Sequence, residues 1–211
     1  MLTALSFSRA ATALLLAVAS GVAPMALASD AELLPEPELA DNGMHYQPWF
    51  LDSFLDLQED LDEAAAEGKG LAIFIEQAGC PYCRELHEVN LRDAETVRYI
   101  EDHYVALQID LRGAREVTDF DGEVLTERDL IRRWGVLYTP TVLFFDPEAV
   151  EDEGLGKDRA AAIMPGYFKP FHFRTMLEYV AAGHYQEMHF QDYVNARAQK
   201  LRAEGKEVTV W

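Results

Sequence analysis

Leu71-Ala72-Ile73-Phe74-Ile75-Glu76-Gln77-Ala78-Gly79-Cys80-Pro81-Tyr82-Cys83 is the stretch from which the rest of the chain can be read, because it ends on the only two cysteines present. Residues 71–75 are continuously apolar, the mark of a buried strand with both faces covered. Gln77-Ala78-Gly79 forms a turn, and a helix starts near Cys80 and runs on through Leu86 and Leu91. A disulfide that acts as a staple closes a long loop, since that is what restricts the unfolded chain; a two-residue gap closes almost nothing. The Cys80/Cys83 pair therefore reads as reactive chemistry.

Thiol-disulfide exchange needs one thiolate that attacks and a second thiol near enough to release the mixed disulfide. At a helix start Cys80 lies beside unpaired backbone N–H groups and the positive end of the helix dipole, which lower its pKa below the free value of about 8.5. Pro81 has no N–H to lose and suits the first helical turn. Cys83, one turn deeper, is the resolving thiol. Arg84 favours a thiolate at Cys80, whereas Glu76, Glu85 and a net acidic surface oppose it, a balance that suits a moderately reducing couple. His87 follows Cys83 by one turn, so Cys80, Cys83 and His87 offer three ligands to copper or zinc. A closed zinc site wants a fourth ligand, and the chain has no second C-x-x-C and no His-x-His. The metal reading ranks second, and His87 is expected to be a solvated helix residue. Covalent haem is excluded, because Arg84 stands where that attachment needs His.

Outward from this stretch, Phe50, Phe54, Leu57, Leu61 and Ala65 recur at three- and four-residue steps and predict a helix over 48–67, stopped by Gly68-Lys69-Gly70. A second helical stretch is expected at 95–103 and a strand at 104–110. Residues 112–124 read as an inserted loop turning at Asp121-Gly122. Thr126 caps a helix that runs to about Trp134. Strands follow at 141–145 and 160–164, then helices at 171–182 and 190–203. Pro140 stands just before the strand at 141–145; it has no ladder N–H, and the sequence leaves open whether its bond is cis or an ordinary trans strand entry.

At the N-terminus, Arg9 precedes a mainly apolar run over 10–23, and Ala26-Leu27-Ala28 comes before Ser29. These are the three parts of a secretory signal peptide, and the run is shorter than the roughly 20 residues that span a bilayer. Cleavage after Ala28 leaves a soluble chain of one domain, with an extended lead-in at 29–47 and the folded part at 48–211. Arg9 is the only charged residue in 1–28, so its loss takes the net charge from −19 to −20. Nucleic acid is not an expected partner of so acidic a chain.

The element order β-α-β-α-β-β-α, with a C-P-Y-C pair opening the first internal helix and T-P before a later strand, resembles the thioredoxin superfamily. That resemblance implies an α/β fold with a central mixed sheet flanked by helices, extended here by helices at both ends. More narrowly, Phe74-Ile75-Glu76-Gln77-Ala78-Gly79-Cys80-Pro81-Tyr82-Cys83 and Pro165-Gly166-Tyr167-Phe168-Lys169-Pro170-Phe171-His172-Phe173 are similar to SoxW-like periplasmic thioredoxins of sulfur-oxidising bacteria. The resemblance implies a monomeric periplasmic enzyme that reduces disulfides of exported proteins and draws electrons from a membrane thiol carrier of the CcdA or DsbD type. No cofactor is implied beyond the redox-active disulfide itself. Cys80 corresponds to the nucleophile, Cys83 to the resolving thiol and Pro140 to a cis-proline. Pro81, Tyr82, Thr139 and Pro140 line the place where a partner docks, Thr139 through its backbone.

The chain departs from many thioredoxins at Phe74, where they carry a buried Asp. Glu76 faces the same side of the strand but is read as a solvated carboxylate outside the catalytic set. The competing functions are a disulfide oxidase or isomerase, a metal chaperone using Cys80, Cys83 and His87, and a non-catalytic adaptor. The intact cysteine pair and T-P turn speak against the adaptor. Mass mapping of protein recovered from the native periplasm is expected to give an N-terminal peptide that begins at Ser29, and a peptide retaining Met1 counts against export.

Overall fold

Five consecutive apolar residues can all be dry only if layers cover both sides of their strand, and the computed structural model provides those layers. It describes residues 32–148, 156–206 and 208; the signal-peptide reading over 1–28 lies outside the described residues. The strands and helices are β1 (Glu38–Leu39), β2 (His45–Tyr46), α1 (Leu57–Ala66), β3 (Gly70–Glu76), α2 (Pro81–Val89), α3 (Ala94–His103), β4 (Tyr104–Asp110), β5 (Glu116–Thr118), β6 (Val124–Thr126), α4 (Glu127–Trp134), β7 (Thr141–Phe145), β8 (Ala162–Pro165), α5 (Pro170–Ala181) and α6 (Phe190–Ala203). The main sheet has the order β4-β3-β7-β8. β3 is parallel to β4, with Gly70 opposite Tyr104 and Glu76 opposite Asp110, and antiparallel to β7, with Ile75 opposite Thr141. This is the mixed sheet expected.

Side chains alternate across β3 and feed two cores. Ala72 and Phe74 pack with Leu86 of α2, Ile100 of α3 and Phe173 and Leu177 of α5. Leu71, Ile73 and Ile75 pack on the other side with Leu57 and Leu61 of α1 and Leu130, Ile131 and Trp134 of α4. Each such Leu, Ile or Phe contributes about 1.5–3 kcal/mol by leaving water. The α4 boundaries follow from local chemistry: the Thr126 hydroxyl accepts from the Asp129 N–H at 3.2 Å. Gly135, at φ 64°, ends the helix in a left-handed conformation that a residue with a Cβ resists.

Two expectations need correction. The helix predicted over 48–67 is confined to Leu57–Ala66, capped by Asp56, whose side chain accepts from Glu59 N–H. Before it, Leu55 takes φ 63° and Leu51 N–H donates to Ala106 O at 2.7 Å, so the chain runs along β4 instead of coiling. The apolar spacing misleads because its members do different jobs: Phe50 enters the Phe74 core, Leu57 and Leu61 enter the opposite one, and Phe54 is fully exposed. The supposed loop at 112–124 contains most of a β5–β6 hairpin. The buried Glu127 carboxylate anchors its base, accepting from the N–H groups of Asp110 and Arg115 and from the Arg115 guanidinium.

Asp60 on α1 is buried, and the Ser53 hydroxyl donates to its carboxylate at 2.7 Å. Burial pushes its pKa up from 3.8 to about 6, against the opposing Ser53 hydrogen bond. A raised carboxyl pKa means that the folded chain binds the proton more readily, so this stabilising contribution is full below pH 3.8 and lost as pH rises through about 6. Asp60→Asn, which stays neutral and still accepts from Ser53, is expected to melt with wild type at pH 4. At pH 8 it should be roughly 1–2 kcal/mol more stable. Urea titrations at the two pH values check this, and equal stability at pH 8 refutes it.

Candidate active site

β3 ends at Glu76, and the turn 77–79 returns the chain to start α2. Gly79 sits at φ 72°, a conformation a side chain would resist. Cys80 then caps α2: its backbone is extended, its Sγ accepts from Cys83 N–H at 3.1 Å, and Pro81 follows in the first turn. Cys80 and Cys83 form a disulfide with their Cα atoms 5.2 Å apart. Both are buried. The helix start points N–H dipoles at Cys80, the arrangement that favours a thiolate there.

The second strand of the site is β7, the antiparallel neighbour of β3 in the sheet. The Thr139-Pro140 bond is cis, and Pro140 leads directly into β7. Thr139 O lies 3.5 Å from Cys80 Sγ, and the Thr139 hydroxyl donates to the same sulfur at 3.4 Å. Cys80, Cys83, Pro81, Thr139 and Pro140, separated by about sixty positions in sequence, thus meet at one sulfur pair. Tyr82 stands out at 58% exposed and stacks on Tyr167, ring centroids 6.4 Å apart. Burial, with the Glu85 carboxylate as neighbour and hydrogen-bond partner, pushes the Tyr167 hydroxyl up to about 12. Leu137 and Tyr138, both exposed, precede Thr139. The disulfide therefore sits beside apolar and aromatic side chains that face solvent.

Two residues read as solvated prove to be buried. Glu76 is 1% and His87 0% exposed, and His87 Nε2 meets Glu76 Oε2 at 2.9 Å. The alternation of β3 carries through Glu76, which places it with Ala72 and Phe74 under α2. His87 follows the buried Leu86 and lies one turn beyond the buried Cys83, a spacing that could have revealed its inward face. Gln108 and Gln47 join this pair; Gln47 comes from a segment with no periodic signal at all. The metal alternative loses its geometry here, because both His87 ring nitrogens are engaged, by Glu76 and by Gln47. Among the described residues no three His, Cys, Asp or Glu side chains group to hold a metal, and no helix is long and apolar enough to cross a membrane.

The family model of a thioredoxin-like domain matches residues 57–181, more than half of the chain, from α1 to the end of α5. None of the curated proteins matches it. A thioredoxin-fold protein from Helicobacter pylori is 18% identical with a TM-score of 0.54, over 72% of this chain and 92% of that one. A thioredoxin from Thermus thermophilus is 24% identical with a TM-score of 0.46, over 64% of this chain and 95% of that one. The C-terminal domain of DsbD from Neisseria meningitidis, in its oxidised form, is 17% identical with a TM-score of 0.40, over 58% and 90%. At such identities the likeness concerns the fold.

If Cys80 attacks and Cys83 resolves, replacing Cys83 with Ala leaves the mixed disulfide with nothing to release it. Cys83→Ala is expected to accumulate partner-linked protein on non-reducing gels, and Cys80→Ala to accumulate none. The opposite pattern reverses the assignment.

Proposed function

The chain belongs to the thioredoxin-like domain family and is a thiol-disulfide oxidoreductase through Cys80 and Cys83, and from this premise we propose that it reduces disulfides of exported partner proteins. The observation that carries this reading is the Cys80–Cys83 disulfide at the start of α2 with the Thr139 carbonyl beside Sγ. In the reduced enzyme the Cys80 thiolate attacks one sulfur of a partner disulfide, forming a bond to it and releasing the other as a thiolate. Cys83 then attacks Cys80 and releases the second partner sulfur. Two electrons pass to the partner, and the pair ends as the disulfide. The partner's extended strand lies along Thr139, against Pro81, Tyr82 and Pro140, with Leu137 and Tyr138 adding apolar contact.

The direction follows from charge. A strong oxidant of this kind stabilises its reduced thiolate heavily. Here the cation nearest the motif, Arg84, is exposed and shares its charge with Glu88 at 3.7 Å. Glu85 lies next to it on α2, and Glu76 is buried four residues before Cys80. These carboxylates weigh against a strongly stabilised thiolate. In the reading preferred here the leader is removed after Ala28 and the enzyme works in the periplasm, as in the SoxW-like proteins that its motifs resemble. That compartment is oxidising, so a membrane thiol carrier of the CcdA or DsbD type must resupply electrons.

Redox titration against glutathione is expected to give a potential more negative than about −200 mV, away from the roughly −120 mV of strong periplasmic oxidants. Acid trapping followed by alkylation is expected to find the pair mostly as a dithiol in cells with an intact donor. A fully oxidised pair together with a potential near the oxidant value would promote the oxidase reading instead.

A further inference from the structure

Pro165-Gly166-Tyr167-Phe168-Lys169 joins β8 to α5 and takes no part in the exchange of sulfur bonds, yet it is fastened to both halves of the site. Gly166 N–H donates to Pro140 O at 2.7 Å. Asn90, buried just past the end of α2, donates from Nδ2 to Phe168 O at 2.9 Å. Between these ties the Tyr167 ring lies nearly parallel to that of Tyr82, with centroids 6.4 Å apart and 13° between the planes. Tyr82 stands between the two cysteines, and Thr139, next to Pro140, approaches Cys80 Sγ with both its carbonyl and its hydroxyl. Tyr167 is thus held between the two elements that flank the reacting sulfur.

A pair of rings that only filled space would be covered. Tyr82 instead is exposed, and Tyr167 is half-buried. The Tyr167 hydroxyl donates to the Glu85 carboxylate, a group that is itself exposed. Tyr82 and Glu85 stand at i and i+3 on α2 and so are neighbours on its outer face. Aromatic faces and a carboxylate therefore meet in one place beside the disulfide. Arg84 is not part of this group: at two positions from Tyr82 it points elsewhere, and it pairs with Glu88 at 3.7 Å. Lys169, exposed two residues past Tyr167, is the other cation of the segment. Glu85 is the charged side chain that touches the rings.

A partner side chain laid on these rings gains most if it is flat and positive. A ring face attracts a cation, and a guanidinium can lie flat on it while its edge directs N–H groups at a carboxylate. A partner ring would gain the stacking alone, and an acidic side chain would be repelled by Glu85 and by the negative ring faces. The net charge of −19 adds a long-range pull on a basic partner. We infer that Tyr82, Tyr167 and Glu85 form a specificity subsite that receives an arginine flanking the reacting cysteine of the partner, with Asn90 as the residue that positions the Tyr167 segment. This rests on the thiol-exchange reading above. In the step it serves, Cys80 Sγ bonds to the sulfur of the partner's cysteine, and the sulfur formerly joined to that cysteine leaves with the electron pair as a thiolate. The arginine forms and breaks no bond; it holds the partner cysteine in line with Cys80.

The test uses the full exported chain, reduced, and peptides whose single cysteine carries an aryl thiol in disulfide linkage, so that attack by Cys80 on the peptide sulfur releases an absorbing thiolate. The residue beside that cysteine is Arg, Leu, Tyr or Glu, placed before it in one series and after it in another. Stopped-flow rate constants are divided by those of the same peptides with mercaptoethanol, which removes the peptide's own reactivity. In the series that faces the subsite Arg is expected to react about tenfold faster than Leu, since a cation on a ring face and an exposed ion pair are each worth a few-fold, and Glu is expected to be slowest. At about 1 M salt the Arg preference is expected to fall to about threefold, the share left to the rings. Glu85→Gln is expected to give about threefold already at low salt, Tyr167→Leu and Asn90→Ala less than about twofold, and Tyr167→Phe most of the wild-type preference. Equal rates for Arg and Leu in both series overturn the subsite, as does a Leu or Tyr peptide that outruns Arg; these arms need no variant to fold. An Arg preference untouched by Tyr167→Leu and Glu85→Gln belongs to the acidity of the whole chain and overturns the subsite too. Release from none of the peptides overturns the exchange reading itself, whereas fast release without an Arg preference overturns the subsite alone.

Discussion

The site depends on the register of β3. This strand lies between β4 and β7 with both faces covered, so its alternation assigns every residue from 70 to 76 to one core or the other. A slip of one residue would exchange the two sets, moving Phe74 and Glu76 to the α1 and α4 side and Leu71, Ile73 and Ile75 to the α2 side. With two apolar faces the register is strongly specified, and it fixes three things together: where the strand stops, which way the turn at 77–79 leaves it, and that Cys80 arrives at the start of α2 facing Thr139. The cysteine pair needs a rigid approach from below and an open one from above. A dry strand under a capped helix supplies the first, and the turn before Pro140 supplies the second.

Much of this was legible because the determining patterns are local and single-purpose. Residues 104–110 alternate cleanly and form β4, and 190–203 form α6 with the bounds that periodicity predicts. The cap at Thr126 and the pairing of Cys80 with Cys83 were likewise written in a few neighbouring residues. The failures share a cause. Between 48 and 67 the apolar residues fall at helical spacing, yet they serve two cores on opposite sides of the sheet, and no single-chain period reports which core a side chain enters. Residues 112–124 look polar and loose because only Val117 and Phe120 among them enter the core, while the buried carboxylate that anchors the hairpin's base, Glu127, lies beyond the stretch. Glu76 and His87 were misjudged through residue type: a charged residue at a strand end and a His on a helix are usually wet, and only their mutual contact makes burial tolerable.

The electrostatics point the same way at two scales. The whole chain is strongly acidic, with a net charge of −19, and carboxylates lie close to the motif. Each raises the cost of a thiolate at the pair, which is the ground on which the reductase direction is proposed.

The N-terminal extension ties these features together. Leu51 N–H pairs with Ala106 O on β4, the edge strand of the main sheet, so the segment engages a carbonyl that would otherwise face solvent or another chain. In doing so it lays Phe50 against Phe74 and carries Gln47 and His45 to His87. Edge protection and closure of the polar cluster are thus one act of packing. The matched domain at 57–181 contains the cysteines and the turn before Pro140, but the Gln47 amide and the His45 ring that meet His87 lie before it. The packed structure beneath α2 therefore begins before the segment that defines the family, because Gln47 and His45 reach His87 from residues folded over the edge of the sheet.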